Sequence, residues 1–125
     1  MAGGQVVLCG VHKGIPWMTA RHTFLKNENG YVLLPPEHPW QDPSLARKEV
    51  CVHGGLTHHD KNGWIGFDTA HSGDFWEASP FNIPGLTTSI QIVWTTDLVV
   101  RETKRLADQV ATRYNKDMKS KRQDA

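Results

Sequence analysis

Seven histidines occur in this 125-residue chain, and four of them (His53, His58, His59 and His71) fall between Val52 and Asp74. The same stretch, VHGGLTHHDKNGWIGFDTAHSGD, also carries Asp60, Asp68, Asp74 and the paired glycines Gly54 and Gly55. Imidazole titrates at about pH 6.5, so two histidines facing one phosphodiester can serve as general base and general acid near neutrality. A neighbouring carboxylate fixes the ring tautomer, a role open to Asp68 or Asp74. Gly54 and Gly55 leave backbone N–H groups open to an anion, and Thr57 offers a hydroxyl to a phosphate oxygen. Trp40, Trp64 and Trp76 present faces for bases, each worth about 1–3 kcal/mol where such stacking occurs. The candidate site is therefore His53, His71, Asp68 and Asp74 for catalysis, with Gly54, Gly55, Thr57, Trp40 and Trp76 for ligand binding.

Plainer roles compete for each residue. Adjacent His58 and His59 sit beside a turn signal, where histidines are usually only solvated, and His12 and His22 are isolated. His38, on a proline-rich loop, has a minor claim. Asp74 follows Ser-Gly and can cap its own loop. Tryptophans are more often core than platform, and Trp64 and Trp94 are the first candidates for it. His53, Asp68, His71 and Asp74 are an acceptable nitrogen and oxygen set for zinc or manganese, but D-x-x-H-x-x-D matches no strong ligand signature. No cofactor and no metal are expected on that ground, and a metal-dependent phosphoesterase is kept as an alternative. Cys9 and Cys51 lie in apolar runs and read as buried free thiols, a poor setting for a nucleophile.

The elements that must position these groups are short. Residues 5–12 read as a strand, 13–30 as mixed with a turn at Asn27–Gly30, and 31–34 as a second strand. PPEHPWQDPS is too proline-rich for a helix interior and reads as an ordered loop. Residues 48–55 read as a third strand, returning through the Asn62-Gly63 turn into a fourth at 64–68. That hairpin would set His53 beside Asp68, His71 and Asp74, with His58 and His59 at its far end. Residues 69–85 are irregular, and 87–94 read as a further strand. The clearest element is a helix from the Thr95/Thr96 cap, with Val99, Thr103, Leu106, Val110 and Tyr114 on one face. Strands followed by a helix give an α+β fold: a small antiparallel sheet with long loops, covered by one C-terminal helix. One domain over 1–115 is expected, with 116–125 as a charged, frayed tail.

The balance of charges narrows the partners. A formal net charge of +1 excludes a strongly basic duplex-binding surface but leaves a local anion site open. No apolar run approaches the roughly 20 residues of a spanning helix, and the N-terminus lacks the pattern of a signal peptide. The expectation is a cytoplasmic protein without membrane or duplex nucleic acid as partner.

Three motifs in order, GYVLLPPEHPW, VHGGLT and GFDTAHSGD, resemble a group of small bacteriophage-encoded proteins. They span residues 30–74, and the ordered triple is more specific than any one piece. The group touches phage anti-CBASS proteins, which defeat nucleotide-based bacterial immunity by cleaving cyclic dinucleotides. The resemblance implies a counter-defence protein acting in the infected cell's cytoplasm on a cyclic dinucleotide. His53, Gly54, Gly55 and Thr57 match the second motif, and Asp68, His71, Gly73 and Asp74 the third. His58 stands where the group tends to have Tyr, and Thr69 and Ser72 where it has Cys and Ala, which puts any role for position 58 in doubt. The leading expectation is an enzyme performing metal-independent His/His cleavage, with acid and base unassigned. A non-catalytic sponge, oligomeric so as to enclose its ligand, is the alternative from a second class. A structural interaction protein is the third.

Overall fold

The computed structural model describes residues 4–71, 74–77, 79 and 92–123. Its elements are β1 (Gly4–His12), β2 (Ile15–His22), β3 (Glu28–Leu33), a 3-10 turn (Pro39–Gln41), α1 (Pro43–Glu49), β4 (His58–His59), β5 (Trp64–Phe67), β6 (Asp74–Phe75), β7 (Ile92–Val93) and α2 (Thr96–Gln123). Five strands form one sheet in the order β1-β2-β3-β5-β4, every neighbour antiparallel. β6 and β7 pair in parallel as a separate two-stranded ribbon. The fold is α+β, a small antiparallel sheet covered by the C-terminal helix.

α2 follows from its apolar spacing. Val99, Thr103, Leu106, Ala107 and Val110 are fully buried against Ile15, Trp17, Val32, Ile65 and Phe67. Each Leu- or Val-sized side chain buried this way contributes about 1.5–3 kcal/mol. Thr95 caps the helix by accepting from the Leu98 N–H at 3.3 Å. Buried Glu28 ties this end to β3, accepting from the Thr96 hydroxyl at 2.8 Å and pairing with Arg21 at 3.2 Å. The helix crosses directly over Gly30, where a Cβ would overlap Thr103 Oγ1 and lie 2.5 Å from Phe67 Cε1. Among the described residues no helix is long and apolar enough to cross a membrane.

Several expectations are corrected. Residues 15–22, read as mixed, form the interior strand β2, and the turn before β3 lies at 23–27 rather than 27–30, so β3 starts at Glu28. The strand expected at 48–55 is absent. Asp42 accepts from the Ser44 N–H and Pro43 occupies the first helical turn, where its missing donor costs nothing, so α1 runs to Glu49. Residues 50–57 then continue as an extended strap outside the sheet. β5 pairs instead with β3, Tyr31 opposite Gly66, and with the two-residue β4. The hairpin turn does lie before β5, held by Gly63 N–H to Asp60 O. Of the expected strand 87–94, residues 87–91 lie outside the described residues. α2 continues to Gln123, past the boundary at 115 where the frayed tail was expected. Both cysteines are exposed rather than buried, since neither apolar run forms a two-sided core strand: β1 is an edge and the Cys51 strap lies on the surface of α2.

Candidate functional site

The strap that carries His53 is fastened to α2. Gln109 accepts from the Cys51 N–H at 2.9 Å and donates to the Cys51 carbonyl at 2.8 Å. Two turns earlier, Glu102 accepts from the His53 N–H at 2.7 Å. Glu102 is kept ionised for this task. Burial pushes its carboxyl up, but the Arg105 guanidinium and the His53 N–H outweigh that and hold it below the usual carboxylate range. The strap turns back at Gly54 and Gly55, both at positive φ (67° and 78°), with Gly55 N–H donating to Val52 O.

His71 approaches from the segment after β5. A Cβ on Gly54 would overlap its ring, 2.8 Å from Nε2 with Cε1 nearer still. The two rings stand edge to face, centroids 5.5 Å apart. Between them lies the carboxylate of Asp74, its side chain 2% exposed. His53 Nε2 is 2.9 Å from Asp74 Oδ1, and His71 Nδ1 is 3.1 Å from Oδ2. The Trp94 indole N–H donates to Oδ1 at 2.8 Å, and the His71 backbone N–H to Oδ2 at 2.9 Å. Burial pushes the Asp74 carboxyl up, yet the Trp94, His53 and His71 bonds prevail and hold it below the usual range. Asp68 sits on the outer side of His71, Oδ1 3.3 Å from Nε2, and also accepts from the Ala70 N–H.

Two cavities flank the pair. One of about 200 Å³, on the His71 side, is lined by Asn27, Thr69, His71, Asp74 and Trp76. Asn27 Oδ1 is buried and has no protein partner among the described residues. The other, of about 300 Å³, is lined by His53, Ile92, Trp94, Leu98, Arg101 and Arg105. A larger groove of about 470 Å³, between Trp40 and the α2 residues 105–116, contains neither histidine. Its Arg113 is paired with Glu49.

His53, His71, Asp68 and Asp74 thus come together as the sequence placed them, though through a strap on α2 and not a hairpin end. The ligand-binding set fares differently. Gly54 makes room for the His71 ring, and the Gly55 N–H is spent in the turn. Thr57 lies at the β5 edge, its N–H on Gly66 O, and lines neither flanking cavity. Trp40 is a core residue, 3% exposed with its N–H on Glu49, so its faces are closed to a base. Trp76 lines the smaller cavity but is buried, donating to Thr69 Oγ1 at 2.9 Å. His38, His58 and His59 are structural. His38 accepts from the Trp40 N–H and bonds the Val110 carbonyl, His58 bonds Asp60, and His59 the Trp40 carbonyl. Trp94, Glu102 and Asn27 were not singled out for the site. Their only sequence signals were an indole ending an alternating run, a carboxylate on the buried side of α2, and an amide in a turn. No protein-family model, curated protein or solved structure matches this chain.

Proposed function

We propose that this chain cleaves a phosphodiester in a cyclic nucleotide messenger, with His53, His71 and Asp74 as the reactive centre. One observation carries the reading: a single buried carboxylate bonded to two imidazoles whose centroids are 5.5 Å apart. That spacing lets both rings reach one phosphate, which is the geometric condition for paired acid–base work. Asp74 takes His53 Nε2 and His71 Nδ1, so the ring atoms left to face a ligand are His53 Nδ1 and His71 Nε2. His71 Nε2 also has Asp68 beside it, at 3.3 Å.

The surroundings suit a small ligand with two lobes. A cavity lies on either side of the pair, and the one beside His53 brings Arg101 near a bound anion. A net charge of +1 agrees with a small nucleotide and not a duplex. The resemblance of the three motifs to phage counter-defence proteins supports a cyclic dinucleotide immune signal in this reading, met in the cytoplasm of an infected cell.

The test is incubation of purified protein with a panel of cyclic di- and mononucleotides, products followed by chromatography. The expected result is cleavage that persists in chelator and is lost in His53→Ala and in His71→Ala. Ligand recovered intact after heat denaturation would replace the enzyme with a sponge. Absence of both binding and turnover across the panel, with and without added divalent metal, refutes the proposal.

A further inference from the structure

We infer that His53, His71 and Asp74 also form a site for one divalent transition-metal ion of the zinc class, steadied by Asp68 and Trp94. The site goes beyond phosphodiester cleavage, because holding an ion requires no substrate. Among the described residues these three are the group whose nitrogen and oxygen donors lie within 4.8 Å of one another. Tetrahedral zinc, with bonds of roughly 2.0–2.1 Å, sets its donors roughly 3.4 Å apart. His53 Nε2 and His71 Nδ1 each lie 3.1 Å from the same Asp74 oxygen, Oδ2, so those two pairs need to open by only a few tenths of an ångström.

The outer contacts separate this cluster from an ordinary knot of hydrogen bonds. A histidine that ligates a metal usually donates its other ring N–H to a carboxylate, which fixes the tautomer and aims the lone pair inward. His71 has that arrangement, its Nε2 3.3 Å from Asp68 Oδ1 while Nδ1 points at Asp74. The carboxylate is fixed in turn by the Trp94 indole N–H on Oδ1 and the His71 backbone N–H on Oδ2. The backbone that carries His53 is held by its N–H bond to Glu102. Gly54, lacking a Cβ, lets the strap close on the His71 ring. Two imidazoles and one carboxylate suit zinc, cobalt or iron and not calcium or magnesium, which prefer all-oxygen sets. Three protein ligands leave a coordination position over, the pattern of zinc sites that bind a further molecule. Both rings are partly exposed, so that position opens toward the flanking cavities. An ion here takes the place of the protons that bridge the three side chains.

Chelator-stripped protein is titrated with Zn²⁺ by calorimetry and with Co²⁺ by visible absorption. One equivalent per chain is expected, with the cobalt bands of a low-coordinate nitrogen and oxygen site. His53→Ala and His71→Ala should each abolish the tight phase, and His58→Ala should leave it unchanged. Asp68→Asn should weaken it about 10- to 100-fold, since it acts through His71. Asp74→Asn can fail to fold because the side chain is buried, so the histidine variants decide. Absence of saturable binding in the wild-type chain, or binding unchanged in both histidine variants, overturns the site. A protein that binds the ion and cleaves no nucleotide refutes the phosphodiesterase reading and leaves this one standing, and the opposite pair of results does the reverse.

Discussion

Gly54 and Gly55 make a controlled comparison inside the chain. Both sit at positive φ, 67° and 78°, so an alanine at either meets the same left-handed strain of about 1–2 kcal/mol. Their surroundings differ. A Cβ at Gly55 meets nothing within 4 Å, whereas one at Gly54 would lie 2.8 Å from His71 Nε2 and 3.0 Å from Nδ1, with Cε1 nearest. Ordinary carbon contacts begin at about 3.5 Å, so the imidazole must retreat by roughly 1 Å or the strap must lift. Either movement breaks the bond between His71 Nδ1 and Asp74, and hydrogen bonds to charged groups are worth about 1.5–3 kcal/mol.

Gly55→Ala should therefore lose about 1–2 kcal/mol in urea denaturation and keep its activity. Gly54→Ala should lose about 2.5–5 kcal/mol, and a 1 Å misplacement of a reacting group should slow nucleotide cleavage about 100-fold. Carbon–proton correlation spectra of the histidine rings give a readout that needs no substrate. The His71 resonances should move in Gly54→Ala and stay in Gly55→Ala. Equal losses of stability in the two variants, together with unmoved His71 resonances, would refute the claim that Gly54 is there to seat the ring.

Other perturbations follow from the same geometry. Trp94→Phe keeps the buried ring but removes the donor to Asp74 Oδ1, and should lower cleavage about tenfold or more while costing about 1–2 kcal/mol by denaturation. Leu106→Ala, at a fully buried position on α2, should cost about 2–5 kcal/mol in the same measurement without shifting the His71 resonances. His38 is 2% exposed, and burial holds its ring below the usual histidine range despite the bond to the Val110 carbonyl. Folding thus favours its neutral form. This contribution is complete above the unfolded value of about 6.5 and is lost as pH falls from there toward the lowered folded value, by at most about 1.4 kcal/mol per unit. Stability curves between pH 7.5 and 5 should be shallower in His38→Asn, and an unchanged slope counts against the assignment.

Two parts of the fold were legible in the sequence because local chemistry decides them. The α2 face came from three- and four-residue apolar spacing, and Val99, Thr103, Leu106 and Val110 are buried as that spacing requires. The turn before β5 came from Asn62-Gly63, and Gly63 has the positive φ that such a turn uses. β2 was hidden because IPWMTARH is buried along most of its length, leaving no alternation to read. α1 was hidden by weight of proline, although Asp42-Pro43 is itself a helix-start signal.

The site was legible for a reason other than the one first offered. KEVCVHGG suggests a strand because of its short apolar run, but such a run does not say which partner takes its backbone hydrogen bonds. The partner is α2: Glu102 and Gln109, seven residues apart and so on one helix face, take up the backbone groups of His53 and Cys51. Such a partnership spans 49 to 58 residues, beyond the reach of any local pattern. His53 nevertheless meets His71 and Asp74, because the glycine pair lets the strap fold back where a β-carbon would strike the imidazole. Residue types marked which side chains would meet, and a side-chain bond to a distant helix, not a β-ladder, brings them together. Glu102→Ala should therefore cost His53 its place, at about 1–3 kcal/mol of stability, while leaving the His71–Asp74 bond intact. Loss of the His53 ring resonances from their wild-type positions, with those of His71 retained, is the expected signature. Coincident movement of both would mean that Asp74, and not α2, holds His53.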